Sequence, residues 1–60
     1  MFPFKTQACI HSLNGRLADV EIIEKRDGGD YVADYNGTRC TAIFNLFAGR
    51  YYVDDVYGKL

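Results

Sequence analysis

The sequence predicts an all-β domain, a meander of five short antiparallel strands. Three observations carry that expectation. No stretch keeps apolar residues at helical spacing over the length of a helix, whereas period-two alternation runs through most of the chain. The alternation is interrupted by "LNGR", "RDGGD", "YNGT" and "LFAGR", each rich in turn-forming residues. Two of these breaks contain Asn-Gly, the strongest short hairpin signal when it lies between alternating runs.

Strands are expected at 4–12, 17–26, 30–36, 38–46 and 50–57. For the first hairpin, a strict two-residue turn at Asn14-Gly15 sets Ile10 against Asp19. A three-residue loop with a bulge at the glycine pairs Ile10 with Val20, Ala8 with Ile22 and Ser12 with Ala18, and is preferred because it keeps apolar residues together. "DGGD" then makes a polar turn into the third strand.

A two-residue turn at Asn36-Gly37 opposes Tyr35 to Thr38, Asp34 to Arg39, Ala33 to Cys40, Val32 to Thr41 and Tyr31 to Ala42. One face then holds Tyr31, Ala33, Tyr35, Cys40 and Ala42, and the other holds the opposite-charge pair Asp34 and Arg39. A slip of one residue moves every side chain to the wrong face. A loop of Leu46 to Gly49 opposes Phe44 to Tyr51, Ile43 to Tyr52, Ala42 to Val53 and Thr41 to Asp54, with Gly49 supplying a positive φ. In so short a chain, such a meander buries one face by curling into a small SH3-like barrel. The alternative is an open, curved sheet that buries its face in a homodimer.

The 60 residues form a single domain, 1–60, too small to bury more than about 60% of its unfolded surface. A partner subunit or a staple often supplements such a core. Five tyrosines and four phenylalanines either fill that core or coat an interface. Seven basic residues against eight acidic ones, with no basic stripe, argue against strong binding to duplex phosphates. No apolar run approaches the roughly 20 residues that span a bilayer, so no membrane association is expected. "MFPFKTQACIH" lacks the pattern of a signal peptide, and the expected location is cytoplasmic. In a reducing compartment Cys9 and Cys40 read as small buried apolar residues. With no secretory signal, "NGT" at 36–38 reads as a turn, not a glycosylation site.

The adjacent acids in "RYYVDD" invite a catalytic reading. Neighbours in one strand, however, point to opposite faces, so Asp54 and Asp55 do not converge on a substrate. Asp54 is expected beside Arg39 and Thr41, and Asp55 on the inner face near the strand end, accepting hydrogen bonds. Cys9 and His11 share a strand face, but their spacing matches no zinc pattern, and no metal or other cofactor is expected. "DGGD" is flanked by acids that repel phosphate, and no helix follows it. No catalytic residue emerges, and the chain reads as a non-enzyme.

The aromatic residues are the best lead. Tyr31, Tyr35, Phe44 and Tyr51 fit the inner face and the core. Val32, Ile43 and Tyr52 fit the opposite face, where a solvated sheet is usually polar. Phe47 sits at a loop tip and Tyr57 at the end of the last strand. Val32, Ile43 and Tyr52, ringed by Asp34, Arg39, Arg50 and Asp54, have the composition of an interaction patch. Scattered apolar residues on a small surface are the plain alternative.

Over Tyr31 to Gly58, "YNGTRCTAIFN" and "YYVDDVYG" resemble small uncharacterised proteins encoded in mobile elements of Gram-positive gut bacteria. The resemblance covers about the C-terminal half. It implies a bacterial cytoplasmic protein accompanying a conjugative or phage-like element, and it brings no activity, catalytic residue or cofactor with it.

Together these readings predict a non-enzymatic interaction module that binds a protein partner or itself, forming a homo-oligomer. The alternative is a single-stranded nucleic-acid binder, with Tyr51 or Tyr52 and Phe47 as stacking platforms and Arg39, Arg50 and Lys25 along the backbone.

Overall fold

The computed structural model describes all 60 residues. Five strands, β1 (Phe4–Ile10), β2 (Arg16–Lys25), β3 (Tyr31–Tyr35), β4 (Thr38–Asn45) and β5 (Arg50–Lys59), form a closed barrel in chain order. The fold is the small SH3-like barrel that the alternation predicts. No helix is long and apolar enough to cross a membrane. Closure comes from a short parallel pairing of β1 with β5, Ala8 with Tyr51 through Ile10 with Val53. That pairing satisfies strand edges that an open sheet leaves exposed.

The two C-terminal hairpins have the expected register. Tyr35 opposes Thr38 and Tyr31 opposes Ala42 across β3–β4, while Phe44 opposes Tyr51 and Thr41 opposes Asp54 across β4–β5. Asn36 and Gly37 both have positive φ, 56° and 84°, as a two-residue turn with the twist of its flanking strands requires. The Asp34 carboxylate accepts the Gly37 N–H at 3.0 Å, so it braces this turn and makes no ion pair with Arg39. The one ion pair in the molecule joins Arg26 to Asp30 at 3.4 Å.

The first hairpin departs from expectation. Ile10 faces Arg16, Ala8 faces Ala18 and Thr6 faces Val20, a shift of the expected register by an even number of residues. Side chains therefore keep their faces although their partners change. The cause is the connection: β1 ends at Ile10 and a 3-10 turn of His11–Leu13 follows, closed by Asn14 in the left-handed region. This longer loop is fastened from a distance. Asp55 accepts the Ser12 backbone N–H at 2.9 Å and also the Ser12 hydroxyl.

Eight residues make the buried core: Ala8, Ile10, Val20, Ile22, Ala33, Cys40, Ala42 and Val53. All occupy inward positions of their strands. At one end the barrel is plugged by aromatic rings, with Tyr51 edge-on to Tyr31 at 5.0 Å and to Phe44 at 4.9 Å, and Phe4 at 6.2 Å. Burial raises the Tyr51 hydroxyl above its ordinary pKa, and neighbouring Tyr31 adds to the effect. Cys9 and Cys40 are both free and buried. Cys40 lies in the core, where burial pushes its thiol up and Asp55 pushes it further; Cys9 lies on the outer side.

Candidate functional site: an outward apolar face

The strands that bury Ala42 and Val53 inward turn Ile43 and Tyr52 outward, and these two oppose each other directly across β4–β5. Ile43 is 59% exposed and Tyr52 42%. The parallel pairing places Cys9 beside Tyr52, and β1–β2 pairing places Leu17 beside Cys9. An apolar row therefore crosses four strands: Ile43, Tyr52, Cys9, Leu17. Leu17, 45% exposed, does not stand out in the sequence because its neighbours in β2, Asp19 and Glu21, make that face look solvated.

Beside this row stands an apolar fingertip. In the β4–β5 loop, Asn45 Oδ1 accepts the N–H groups of Phe47 at 2.9 Å and Ala48 at 3.0 Å. The Gly49 N–H donates to the Asn45 carbonyl at 2.8 Å, with Gly49 at a φ of 69°. The loop is thus fixed by its own backbone, yet Leu46 is 82% exposed and Phe47 fully so. A loop that is ordered only to hold two large apolar groups in water is unusual in a fold so short of core.

Ile43 and Tyr52 form a ridge between two hollows. One, about 400 Å³, is lined by Phe44, Leu46 and Phe47. The other, about 460 Å³, has Cys9 and Val53 in its lining, with His11, Thr41, Asp54 and Gly58 around them. The second hollow owes its shape to the end of β5. After Asp54 the strand bulges away and returns so that Lys59 pairs with Cys40. Asp54 Oδ1 holds this excursion by accepting the N–H groups of Tyr57 at 2.8 Å and Val56 at 3.3 Å. Gly58 packs so closely that an added Cβ would lie 2.9 Å from the Asp54 carbonyl oxygen and 3.0 Å from Thr41 Cβ.

The acids of "RYYVDD" are accordingly fasteners. The Tyr57 N–H holds the Asp54 carboxyl below its ordinary pKa despite an opposing effect of burial. Burial raises the Asp55 carboxyl, but the two bonds from Ser12 outweigh it and leave the group below the usual range. His11 stacks edge-on against Tyr57 at 5.3 Å. No three His, Cys, Asp or Glu side chains converge in a way that suits a metal ion.

The expected patch needs one correction. Val32 is only 5% exposed, although it stands outside the core cluster; its cross-strand neighbours are Glu24 and Thr41. It is not an anchor. Ile43, Tyr52, Arg50 and Asp54 gather on one face, with Arg50 and Asp54 on the outward side of β5 at either flank of Tyr52. Arg39 lies outward toward the other end of β4, and Asp34 lines a separate polar hollow with Lys5, Asp19 and Glu21. No protein-family model matches the chain, and no curated protein or solved structure matches it.

Proposed function

We propose that the chain is a non-enzymatic interaction module whose working surface is the outward face of β4, β5 and β1 with its apolar fingertip. The observation that carries this reading is the pair Leu46 and Phe47, held out by the Asn45 bonds next to exposed Ile43 and Tyr52. An aromatic centre with Arg50 and Asp54 at its rim has the make-up of a protein contact. Two further observations support it. The adjacent carboxylates already hold backbone and Ser12, and Tyr51 is locked among inner rings, which removes one stacking platform from the nucleic-acid alternative.

Tyr52→Asp places a charge at the centre of the face without touching the core. It should abolish association while the far-ultraviolet circular dichroism stays unchanged. Association that survives this substitution would remove the face from consideration. Titration of fluorescently labelled single-stranded DNA and RNA at low salt should show no change in anisotropy. Salt-sensitive binding lost in Tyr52→Asp would transfer the same face to nucleic acid.

A further inference from the structure

Building on that reading of the face, we propose that its partner is a second copy of this chain, packed about a two-fold axis along the row Ile43–Tyr52–Cys9. The argument rests on how the features are distributed on either side of that row. Arg50 and Asp54 are outward residues of β5 placed symmetrically about Tyr52, and neither forms an ion pair within the chain. When two copies face each other about this axis, their β5 strands run antiparallel. Tyr52 then meets Tyr52, and each Arg50 meets the other copy's Asp54.

The same operation settles the fingertip. Phe47 lies on the Arg50 side of the row, and the hollow lined by His11, Asp54 and Gly58 lies on the Asp54 side. The rotation carries each Phe47 over the other copy's hollow. About 150 Å³ accommodates a benzene ring, and this open hollow has about 460 Å³. Knob and hole thus sit on one self-complementary patch, as a two-fold interface requires.

Area and charge agree. Given about 150–250 Å² for a large aromatic side chain, Leu17, Ile43, Leu46, Phe47 and Tyr52 together expose on the order of 650 Å². A standard interface takes about 800 Å² from each partner, and the charged rim supplies the remainder. A net charge of −1 per chain adds little repulsion.

Sedimentation equilibrium of the full chain tests this directly. The apparent mass should rise toward twice the protomer's between about 10 μM and about 1 mM, the range suited to a small interface. Arg50→Glu should weaken the dimer about tenfold, and raised salt should weaken the wild type. Phe47→Ser should weaken it at least as much, with circular dichroism unchanged. In the opposite orientation Arg50 would meet Arg50, so a preferred mixed dimer of wild type with Arg50→Glu would overturn the arrangement. A wild type that stays monomeric at about 1 mM overturns self-association alone. The face then stands or falls on a foreign partner whose binding depends on Tyr52. A dimer indifferent to Tyr52→Asp overturns both proposals.

Discussion

Ile22 on β2 and Ile43 on β4 are the same residue type facing opposite ways, one into the barrel and one out of it. Ile22 points inward and is wholly buried beside Ile10 and Val53, while Ile43 points outward and remains mostly in water. The outer surface is thus apolar around Ile43 and Tyr52, as the interior is throughout, but only the interior is used by the fold. The difference is informative because a chain of this size has little apolar surface to spare. Apolar residues left outside, on strands already fixed by the core and beside a loop ordered by Asn45, point to a use beyond folding.

The sharpest way to break the comparison is to make the same substitution on each side. Ile22→Ala removes buried methyl groups and leaves a cavity, at a cost of about 2–5 kcal/mol. A core this small supplies about 3–5 kcal/mol in all, so the variant should be largely unfolded at room temperature. Circular dichroism and urea titration will show it. A cooperative transition close to that of the wild type would mean that the inner face is not the principal source of stability.

The contrast between faces was legible where local chemistry decides it. Asn36-Gly37 and the Leu46–Gly49 loop each fix a register within a few residues, and the inward set from Tyr31 to Val53 follows from alternation alone. The first hairpin was not legible at that level. Its loop is fastened by Asp55, far along the chain, to Ser12, and no nearby residue announces that bond. The parallel closure that joins Cys9 to Tyr52, and so completes the apolar row, is a consequence of curvature for the same reason. Val32 shows the limit of alternation: parity places it outside the core cluster, but strand parity carries no information about how completely neighbouring strands cover a residue. Asp34 shows another limit, because cross-strand opposition to Arg39 loses to a backbone N–H in the adjacent turn.

That long-range fastening gives an intermediate effect. Ser12→Ala deletes the hydroxyl bond to Asp55 and leaves the backbone bond, at a cost of about 1 kcal/mol or less on this exposed site. Acid should reach the same contact. The carboxyls of Asp54 and Asp55 lie below their ordinary value in the folded chain, whereas the unfolded value is about 3.9 for an aspartate. Their contribution is therefore complete above that unfolded value and is lost as the pH falls through the lower folded values. Urea midpoints should drop as the pH falls from about 5 through and below the unfolded value, and Asp55→Asn should flatten the drop. An equally steep decline in Asp55→Asn would assign acid sensitivity to other carboxylates and leave the loop held mainly by its own 3-10 turn.

The smallest effect on the isolated chain is the most discriminating. Ile43→Ala, the outer counterpart of Ile22→Ala, should change stability by only about 0.5 kcal/mol in dilute solution, because what it loses is the exposed cross-strand contact with Tyr52 and no core packing. In concentrated solution the result should differ. A dimer binds only folded chains, so self-association stabilises the wild type increasingly with concentration, and a weakened face forfeits that increment. Thermal midpoints of wild type and Ile43→Ala should therefore lie within a few degrees when dilute and diverge further as concentration rises, while the larger deficit of Ile22→Ala persists at every concentration. A gap that stays constant with concentration would show that Ile43 faces water in solution throughout, and that outward apolar placement on this strand has no bearing on self-association. Divergence would separate the two faces by function: the inner one sets whether the chain folds, and the outer one sets what the folded chain meets.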